Sequence, residues 1–340
     1  MSEAEQIRKV EGVISVENLK KYFPVRGGLR EFIRRSLPKY VKAVDGVTFS
    51  VKEKETFGLV GESGCGKTTT GRLIVKLLYP TEGRIYFNGA DVTYLSPEEE
   101  REYRKLVQII FQDPYSSLDP RLRVYDALEE PLIIMKLGEK EERREKIYRI
   151  LEDVRLVPPE DFMSRFPHQL SGGQRQRVAI ARALIVNPIF LVADEPVSML
   201  DLSIRAEILE LMKELKERYG LTYLYITHDL STARYFCDRI AVMYLGKIVE
   251  LTTTDKLIEN PLHPYTKALL IAVPEPDPSQ RHITKEIPII GEVPSALNIP
   301  SGCRFHTRCP YKFDLCEREE PELIEVEPGH YVACHLLSKK

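Results

Sequence analysis

The first apolar residues of the chain alternate with polar ones, a pattern typical of β-strands that have one buried face. Residues 13–19 show the alternation first, and Val47, Phe49 and Val51 repeat it. Successive side chains of a strand point to opposite faces, so a period of two collects these apolar residues on one side. The pattern therefore predicts paired strands, and not helices, at the start of the chain.

From residue 56 onward, short apolar runs alternate with segments of helical length. The runs of strand length are residues 57–60, 107–111, 189–193 and 223–226. Such an alternation is typical of a mainly parallel sheet that is flanked by helices. One predicted helix begins after residue 203, and its apolar face consists of Ile204, Ile208, Leu211, Met212 and Leu215.

Two regions depart from this alternation. Residues from about 113 to 170 are rich in charge and carry little strand pattern, which predicts a helical insertion in the sheet domain. After residue 250 the pattern stops, and six prolines between Pro274 and Pro300 indicate an extended connector. We therefore expect a main domain over residues 1–255 and a separate C-terminal appendage within residues 256–340.

Length and charge exclude several classes of protein. A chain of 340 residues predicts about two domains, and 49 basic against 51 acidic residues give a net charge of -2. This balance does not suit a nucleic-acid binder that acts by bulk charge, so no nucleic-acid partner is expected. No apolar run is long enough to span a bilayer and the first ten residues lack a signal-peptide core, so we expect a cytosolic chain.

The segment 26–40 is basic and partly apolar, and it has two interpretations. It is either a solvated amphipathic loop or a contact with lipid headgroups or a membrane partner. The sequence does not separate them.

The run GESGCGKT matches the phosphate-binding pattern G-x-x-x-x-G-K-[ST] and follows the apolar run 57–60. Its glycines allow backbone N–H groups to face phosphate oxygens, and the helix that begins near Gly66 adds the positive end of its dipole. Lys67 would contact the outer phosphates, and the hydroxyl of Thr68 would bind Mg²⁺. The nucleotide-binding residues expected here are Gly61, Glu62, Ser63, Gly64, Cys65, Gly66, Lys67, Thr68 and Thr69.

Two acidic residues, Asp194 and Glu195, follow the apolar run 189–193. A parallel sheet binds its ligands outside the carboxyl ends of the strands, which is where these residues would lie. Asp194 would hold Mg²⁺ through water, and Glu195 would polarise an attacking water molecule. A helix N-cap explains an acidic pair equally well, so the functional interpretation depends on the phosphate-binding run.

The run LSGGQ precedes a strong helix former, RQRVAIARAL. Ser171, Gly172 and Gly173 would therefore lie where the N–H groups of a helix start are unpaired and can bind an anion. LSGGQ is the signature motif of the ATP-binding cassette ATPases of transporters, and residues 12–255 resemble this family throughout. The resemblance implies a P-loop (RecA-like) α/β core with an antiparallel β-subdomain and a helical insertion.

The resemblance also implies roles for residues outside these motifs. Gln112 matches the glutamine that links Mg²⁺ to the helical insertion, and His228 matches the switch histidine. Asp201, in the run SMLD, would communicate across a dimer interface. Phe23 aligns with the aromatic residue that stacks on adenine, with Tyr22 as a close alternative. The implied catalytic residues are Glu195, His228 and Gln112. The implied Mg²⁺ ligands are Thr68, Gln112 and Asp194. The implied ATP contacts also include Ser171, Gly172, Gly173, Gln174 and Asp201.

The resemblance implies partners as well. Two such subunits dimerise head to tail, with each ATP between the phosphate loop of one and the LSGGQ helix of the other. The runs FQDPYSSLDPR, FPHQLSGGQRQR and HPYTKALL resemble the ATPases of dipeptide and oligopeptide importers, whose relatives import nickel and oligosaccharides. The expected partners are a second ATPase, identical or paralogous, two membrane permeases and an extracytoplasmic solute-binding protein. The chain would then be peripheral on the cytoplasmic face of the membrane.

Three other functions compete with this interpretation. A soluble cassette ATPase acting in DNA repair or on ribosomes usually has two motif sets or a long coiled coil, whereas this chain has one set and no sustained heptads. A GTPase would need an N-K-x-D motif, which is absent. The cassette core does not encode the direction of transport, but the C-terminal region GCRFHTRCPYKFDLCEREEPELIEVEPGHYVACHL resembles the appendage of the peptide-importer ATPases and favours an importer over an exporter.

Four of the six cysteines lie in the C-terminal stretch with the spacing C-x5-C-x6-C-x17-C, namely Cys303, Cys309, Cys316 and Cys334. Thiolates suit zinc or iron–sulfur clusters, but structural zinc sites use closer pairs while four-thiolate clusters accept looser loops. A [4Fe–4S] cluster, which the resemblance also favours, is thus preferred over Zn²⁺ or unliganded thiols. Arg304 and Arg308 would offset the cluster's negative charge.

Overall fold

The structure, a computed structural model, describes residues 12–25, 39–272 and 289–337. Nearly all of the basic segment 26–40 and more than half of the proline-rich connector therefore lie outside the described residues. The described residues therefore test neither interpretation of the basic segment.

The described residues form two sheets that are joined and covered by helices. The strands are β1 (Ile14–Pro24), β2 (Tyr40–Val51), β3 (Thr56–Val60), β4 (Glu82–Phe87), β5 (Ala90–Asp91), β6 (Val107–Ile110), β7 (Phe190–Asp194), β8 (Thr222–Thr227), β9 (Arg239–Tyr244), β10 (Lys247–Thr253), β11 (Ile324–Glu327) and β12 (His330–Val332). The helices are α1 (Lys67–Ile74), α2 (Pro97–Leu106), α3 (Val124–Ile134), α4 (Lys140–Asp153), α5 (Pro159–Met163), α6 (Gly172–Leu184), α7 (Leu202–Tyr219), α8 (Leu230–Phe236), α9 (Thr254–Glu259), α10 (Pro264–Ile271) and α11 (Asp314–Arg318).

The smaller sheet is the antiparallel β-subdomain. Its strand order is β2-β1-β4-β5, and every described pairing in it is antiparallel. The alternating apolar residues Val47, Phe49 and Val51 are buried in one hydrophobic cluster with Ile14 and Val16. The period-two pattern of the first strands is therefore confirmed.

The larger sheet has the order β11-β12-β10-β9-β3-β8-β7-β6, and its part from β9 to β6 is parallel. Alternate residues of the central strands point into two different cores. Tyr223 and Tyr225 belong to the cluster shared with helices α3 to α7, whereas Leu224 and Ile226 belong to the cluster shared with the β-subdomain. Because both faces are covered, these strands are continuously apolar, as parallel strands usually are.

The helical subdomain of the predicted fold is confirmed, and its helices lie within the expected range of about 113–170. It consists of α3, α4 and α5 followed by a 3-10 turn at Pro167–Gln169. The carboxyl ends of β6, β7 and β8 lie at the same edge of the sheet, so the segments that follow them can meet there.

The C-terminal region differs from the expected separate appendage. Strand β10 continues to Thr253, two helices follow it, and β12 pairs with β10 so that β11 and β12 extend the main sheet. The apolar pattern stops at Glu250, because this buried position of β10 carries a carboxylate. Glu250 accepts hydrogen bonds from the backbone N–H groups of Leu262 at 2.8 Å and His263 at 3.0 Å, and it lies 2.8 Å from His330 Nε2. A charged residue thus holds the C-terminal region against the sheet.

Candidate nucleotide-binding site

The phosphate-binding run forms the loop between β3 and α1, and its glycines are required by geometry. Gly66 is the N-cap of α1 with a φ of 110°, a conformation that strongly favours glycine. A Cβ atom on Gly66 would lie 2.1 Å from the carbonyl oxygen of Ala43, and one on Gly61 would lie 2.1 Å from that of Met243. Any other residue at these two positions would displace the loop.

Lys67 lies inside this loop. Its ammonium donates hydrogen bonds to the carbonyl oxygens of Gly61 at 2.7 Å and Glu62 at 3.0 Å, and the residue is 4% exposed. These carbonyl groups hold the positive charge at the centre of the loop, where phosphate oxygens can replace them as acceptors.

The loop is joined to the end of β7. The Thr68 hydroxyl donates a hydrogen bond to Asp194 Oδ1 at 2.9 Å, and Asp194 is buried. Burial raises the pKa of Asp194, and the hydrogen bond from Thr68 opposes this rise. A hydroxyl and a carboxylate at this distance are the hard oxygen ligands that Mg²⁺ prefers.

The three residues of the implied catalytic set meet at one atom. Gln112 Nε2 donates to Glu195 Oε2 at 3.1 Å, and His228 Nδ1 lies 3.0 Å from the same oxygen. The three residues follow β6, β7 and β8, whose carboxyl ends are adjacent. Glu195 has a φ of 48°, a strained conformation for a residue other than glycine and one that occurs preferentially at functional sites.

The LSGGQ residues lie at the start of α6, as expected. Ser171 is the N-cap: its hydroxyl accepts from Gln174 N at 3.2 Å, while the Gln174 side-chain oxygen accepts from Ser171 N at 3.0 Å. A Cβ atom on Gly173 would lie 2.8 Å from Ile204 Cγ2, so this glycine lets α7 approach. Asp201 is exposed at the N-cap position of α7.

The structure does not bring the LSGGQ residues to the phosphate loop of the same chain. Among the described residues, no hydrogen bond or ion pair joins residues 171–174 to residues 61–69. The two groups of N–H donors are therefore not connected by these contacts within one chain.

The two candidates for adenine stacking differ in their contacts. The Tyr22 hydroxyl donates a hydrogen bond to Asp45, which also binds Arg304. Phe23 is partly exposed, and Lys21 Nζ lies 5.3 Å from its ring centroid. The Tyr22 hydroxyl is hydrogen-bonded to Asp45, whereas part of the Phe23 ring is exposed and accessible to an adenine.

Three residues that contact the site were not predicted from the sequence. The Tyr265 hydroxyl accepts a hydrogen bond from Glu62 N at 2.9 Å, and Arg308 donates two hydrogen bonds to the Glu62 carboxylate. Arg304 binds Asp45 and Glu320. Both arginines pair with carboxylates of other segments, and their role in offsetting a cluster's charge stays a prediction. Contacts across more than 200 residues leave no local sequence signal.

The C-terminal cysteines lie near one another. Cys309, Cys316 and Cys334 are buried, no disulfide forms among the described cysteines, and Cys303 N donates to the Cys316 carbonyl at 2.8 Å. Burial raises the pKa of Cys303 to about 12 and that of Cys334 to about 11, and the neighbouring thiols add to both shifts. Within the described part of the chain, no group of three histidine, cysteine or acidic residues could hold a single metal ion.

The fold and the loop geometry define a P-loop ATPase with an LSGGQ helix. Residues 44–198 match the family described as ABC transporter, and residues 249–316 match the family described as oligopeptide/dipeptide transporter, C-terminal region. Among the helices that the structure describes, none has the length and apolar character needed to cross a bilayer.

Comparisons with curated and solved proteins agree. The chain is 50% identical over 329 residues to the oligopeptide transport ATP-binding protein AppF of Bacillus subtilis, covering 96% of this chain and 98% of the relative. It is 51% identical over 297 residues to the putative oligopeptide transport ATP-binding protein YkfD of the same organism, covering 87% and 90%. The chain therefore belongs to the ATP-binding proteins of ABC transporters, in the oligopeptide/dipeptide transporter family.

A solved structure of the cassette MJ0796, described as a dimeric post-hydrolysis state bound to ADP and Pi, has a TM-score of 0.61 and 33% identity. It matches over 71% of this chain and 98% of that chain. The ABC ATPase fold predicted from the sequence is thus confirmed.

Proposed function

We propose that this chain hydrolyses ATP to power the import of di- or oligopeptides, or of related solutes such as oligosaccharides or nickel. The observation that carries the proposal is the meeting of Gln112, Glu195 and His228 at one carboxylate oxygen, at the sheet edge that also holds Asp194. The peptide branch is supported by relatives named as oligopeptide transport ATP-binding proteins, which align with nearly the whole chain.

The ATP site is composite in this proposal. The phosphate loop and the start of α6 each offer unpaired N–H donors, yet they are not joined within one chain. A second cassette, identical or paralogous, would supply its Ser171 and Asp201 surface to the phosphate loop of the first. The dimeric state of the related cassette MJ0796 supports this arrangement.

Each catalytic residue has a role that its contacts support. The Glu195 carboxylate orients the attacking water and accepts its proton. Gln112 fixes that carboxylate by donating to it, and His228 occupies its other side, close to where the terminal phosphate would lie. Lys67 exchanges its two carbonyl acceptors for phosphate oxygens. Such catalysis depends on positioning and electrostatics.

The residues present fit a magnesium ion. Thr68 and Asp194 supply a hydroxyl and a carboxylate, and Gln112 supplies an amide oxygen nearby. Mg²⁺ is typically held by one or two carboxylates plus substrate phosphates, so the small number of acidic residues suits it. When bound, the ion neutralises charge on the outer phosphates.

The helical insertion would transmit ATP binding to two membrane permeases, which hold the chain at the cytoplasmic face of the membrane. A groove of about 540 Å³ between the segment that follows Gln112 and α6 supports this role, and its lining includes Tyr115, Leu118 and Arg182. A displacement of Gln112 on ATP binding would therefore shift the residues that line the groove, because only a few residues separate them along the chain. An extracytoplasmic binding protein would select the solute.

The C-terminal thiols would hold a [4Fe–4S] cluster, with Zn²⁺ as the alternative. A single tetrahedral zinc ion would need sulfur atoms about 3.8 Å apart, from a Zn–S bond near 2.3 Å. Four thiolates on loosely spaced loops suit a larger centre, in which each thiolate binds its own iron. The thiols of Cys309 and Cys316 contribute to the raised pKa values of Cys303 and Cys334, which supports the proximity of the four cysteines. The cluster would stabilise this small region.

Metal analysis of anaerobically purified protein tests the cluster. We expect a brown protein that contains about four irons per chain, and a Cys316→Ser variant that loses the iron. Colourless protein with one zinc per chain would establish the alternative.

Co-purification tests the transport function. Tagged chain recovered from detergent-solubilised membranes of its own cells should carry permeases and hydrolyse ATP. A chain that instead comes down with ribosomes or DNA, and is stimulated by them, would be a non-transport ATPase. The oligopeptide-transporter relatives do not favour that function.

A further inference from the structure

The segment between the first two C-terminal cysteines, residues 303–309, contacts the nucleotide site in two places. Arg308 donates two hydrogen bonds to the Glu62 carboxylate, at 2.7 Å to Oε2 and 3.0 Å to Oε1. Both Arg308 and Arg304 are buried. Arg308 Nε has no hydrogen-bond partner among the described residues, so the paired contacts to Glu62 are its main compensation.

Glu62 belongs to the phosphate loop, and its backbone is held as well as its side chain. Its N–H donates to the Tyr265 hydroxyl at 2.9 Å, and its carbonyl accepts from Lys67 at 3.0 Å. A glycine-rich loop has little stiffness of its own. The ion pair therefore fixes the residue whose carbonyl holds the phosphate-binding ammonium.

The other arginine holds a second group of residues near the site. Arg304 binds Asp45, which also accepts from the Tyr22 hydroxyl, and it donates to the Leu245 carbonyl. Burial opposes ionisation of Asp45, but the hydrogen bonds from Tyr22 and Arg304 outweigh it and leave its pKa lowered. The next residue, Gly246, donates to the carbonyl of Cys65 in the phosphate loop at 2.8 Å.

Apolar packing holds residues 303–309 in place between the contact of Arg304 with Asp45 and that of Arg308 with Glu62. Phe305 is 2% exposed, and its ring centroid lies 5.4 Å from Tyr244 and 5.5 Å from Tyr265. Tyr265 is the same residue that accepts from Glu62 N. A rigid aromatic cluster thus sets the distance between the arginines and the loop.

We propose that Arg308 is a positioning residue for the phosphate loop, and that residues 303–309 hold the loop in the form that binds Mg-ATP. A bidentate arginine–carboxylate pair with a buried guanidinium is strong and directional, which suits it to fix one loop conformation. The inference rests on the nucleotide site proposed above. It requires no metal at the cysteines.

The test measures binding of ATP with a fluorescent ribose label, together with KM and kcat, in the full chain. We expect Arg308→Ala to weaken binding and raise KM about tenfold, with kcat changed less than about twofold, because Glu195 and His228 follow strands other than the one before the phosphate loop. Arg308→Lys should recover part of the affinity, since an ammonium makes a point contact but no fork. Lys312→Ala is the matched control: it breaks an exposed ion pair with Glu317 in the same region and should change nothing.

Glu62→Gln keeps the size of the side chain while removing its charge, and it carries the test if Arg308→Ala does not fold. Its effect should match that of Arg308→Ala, and the double variant should be no worse than either single one. Additive effects, or affinities for both variants within twofold of wild type, would overturn the proposal. The Lys67→Ala variant tests the proposed nucleotide site separately from Arg308. If this variant binds ATP as tightly as wild type, the nucleotide site is misassigned, independently of the results for Arg308.

Discussion

At the scale of single residues, Glu195 combines a strained backbone with two side-chain partners. Its φ of 48° aims the carboxylate at Gln112 and His228. Such strain persists only where surrounding contacts fix it, here including the hydrogen bond from Glu195 N to the Ile226 carbonyl at 2.9 Å. These contacts thus hold one carboxylate oxygen of Glu195 in a single position.

Glu195→Gln should keep ATP binding and lose turnover by at least about 100-fold, because an amide cannot accept the proton of the attacking water. The variant retains the size of the side chain and an oxygen that can accept from Gln112. Steady-state phosphate release and nucleotide binding measure the two effects. Glu217→Gln, on the exposed face of α7, is the control; hydrolysis by Glu195→Gln at the rate of this control would remove Glu195 from the mechanism.

Lys76 is a second unusual residue, and it lies outside the site. It is buried, donates to the Thr93 carbonyl at 3.3 Å, and packs over Tyr103. Burial lowers its pKa to about 8 from 10.5, which Asp91 and Glu100 only partly oppose. The folded protein thus releases this proton more easily than the unfolded chain, so the contribution of Lys76 to stability should become more favourable as the pH increases from about 8 to 10.5.

Lys76→Met should therefore stabilise the protein at pH 7, by up to about 3 kcal/mol before the loss of the Thr93 contact is subtracted. The gain should shrink at pH 9.5, where the wild-type lysine is already largely neutral. Thermal unfolding of both proteins at the two pH values measures the difference. A difference in melting temperature that does not change with pH would show that the charge of Lys76 carries no cost.

At the scale of elements, sequence patterns predicted those structures whose cause is local. The apolar strands and the phosphate loop follow from periodicity and from glycines at close backbone approaches. Strand β10 was missed beyond Glu250, because its buried carboxylate is compensated by groups 12 to 80 residues away. The contact of Arg308 with Glu62 was missed for the same reason: charge pairs between distant segments depend on the finished fold.

Glu250→Gln tests how β12 is attached to the sheet. Burial opposes the charge of Glu250, but hydrogen bonds, first that with His330, outweigh it and lower its pKa. The charged form thus stabilises the fold at neutral pH, and this contribution is lost as the pH falls through the lowered pKa. The variant should lose about 1–3 kcal/mol at pH 7. Hydrogen exchange of residues 324–332 should increase, whereas the exposed Glu327→Gln control on β11 should behave as wild type.

At the scale of the whole molecule, the two halves of the proposed ATP site lie on separate surfaces. The C-terminal region contacts the phosphate loop through the ion pair of Arg308 with Glu62, and it contacts Asp45 of β2 through Arg304. The LSGGQ end of α6 is closed by its own capping box, between Ser171 and Gln174. This capping box pairs the N–H groups of Ser171 and Gln174 and, among the described residues, leaves those of Gly172 and Gly173 for an anion from outside the chain. The composite site therefore predicts a specific result when two differently defective chains are mixed.

Lys67→Ala and Ser171→Arg should each abolish hydrolysis alone, because every site of either homodimer contains the defect. In a mixed dimer both defects fall in one site, and the other site combines the intact Lys67 of one chain with the intact Ser171 of its partner. An equal mixture should regain about a quarter of wild-type activity, since half of the dimers are mixed and each has one intact site.

The control mixture contains Lys67→Ala and a chain with both substitutions, in which no intact site can form, and it should stay inactive. Phosphate release at constant total protein measures both mixtures. If the first mixture is as inactive as the control, copies of this chain do not complete each other's sites. The second cassette would then have to be a paralogue, and the same exchange with that paralogue would have to restore activity.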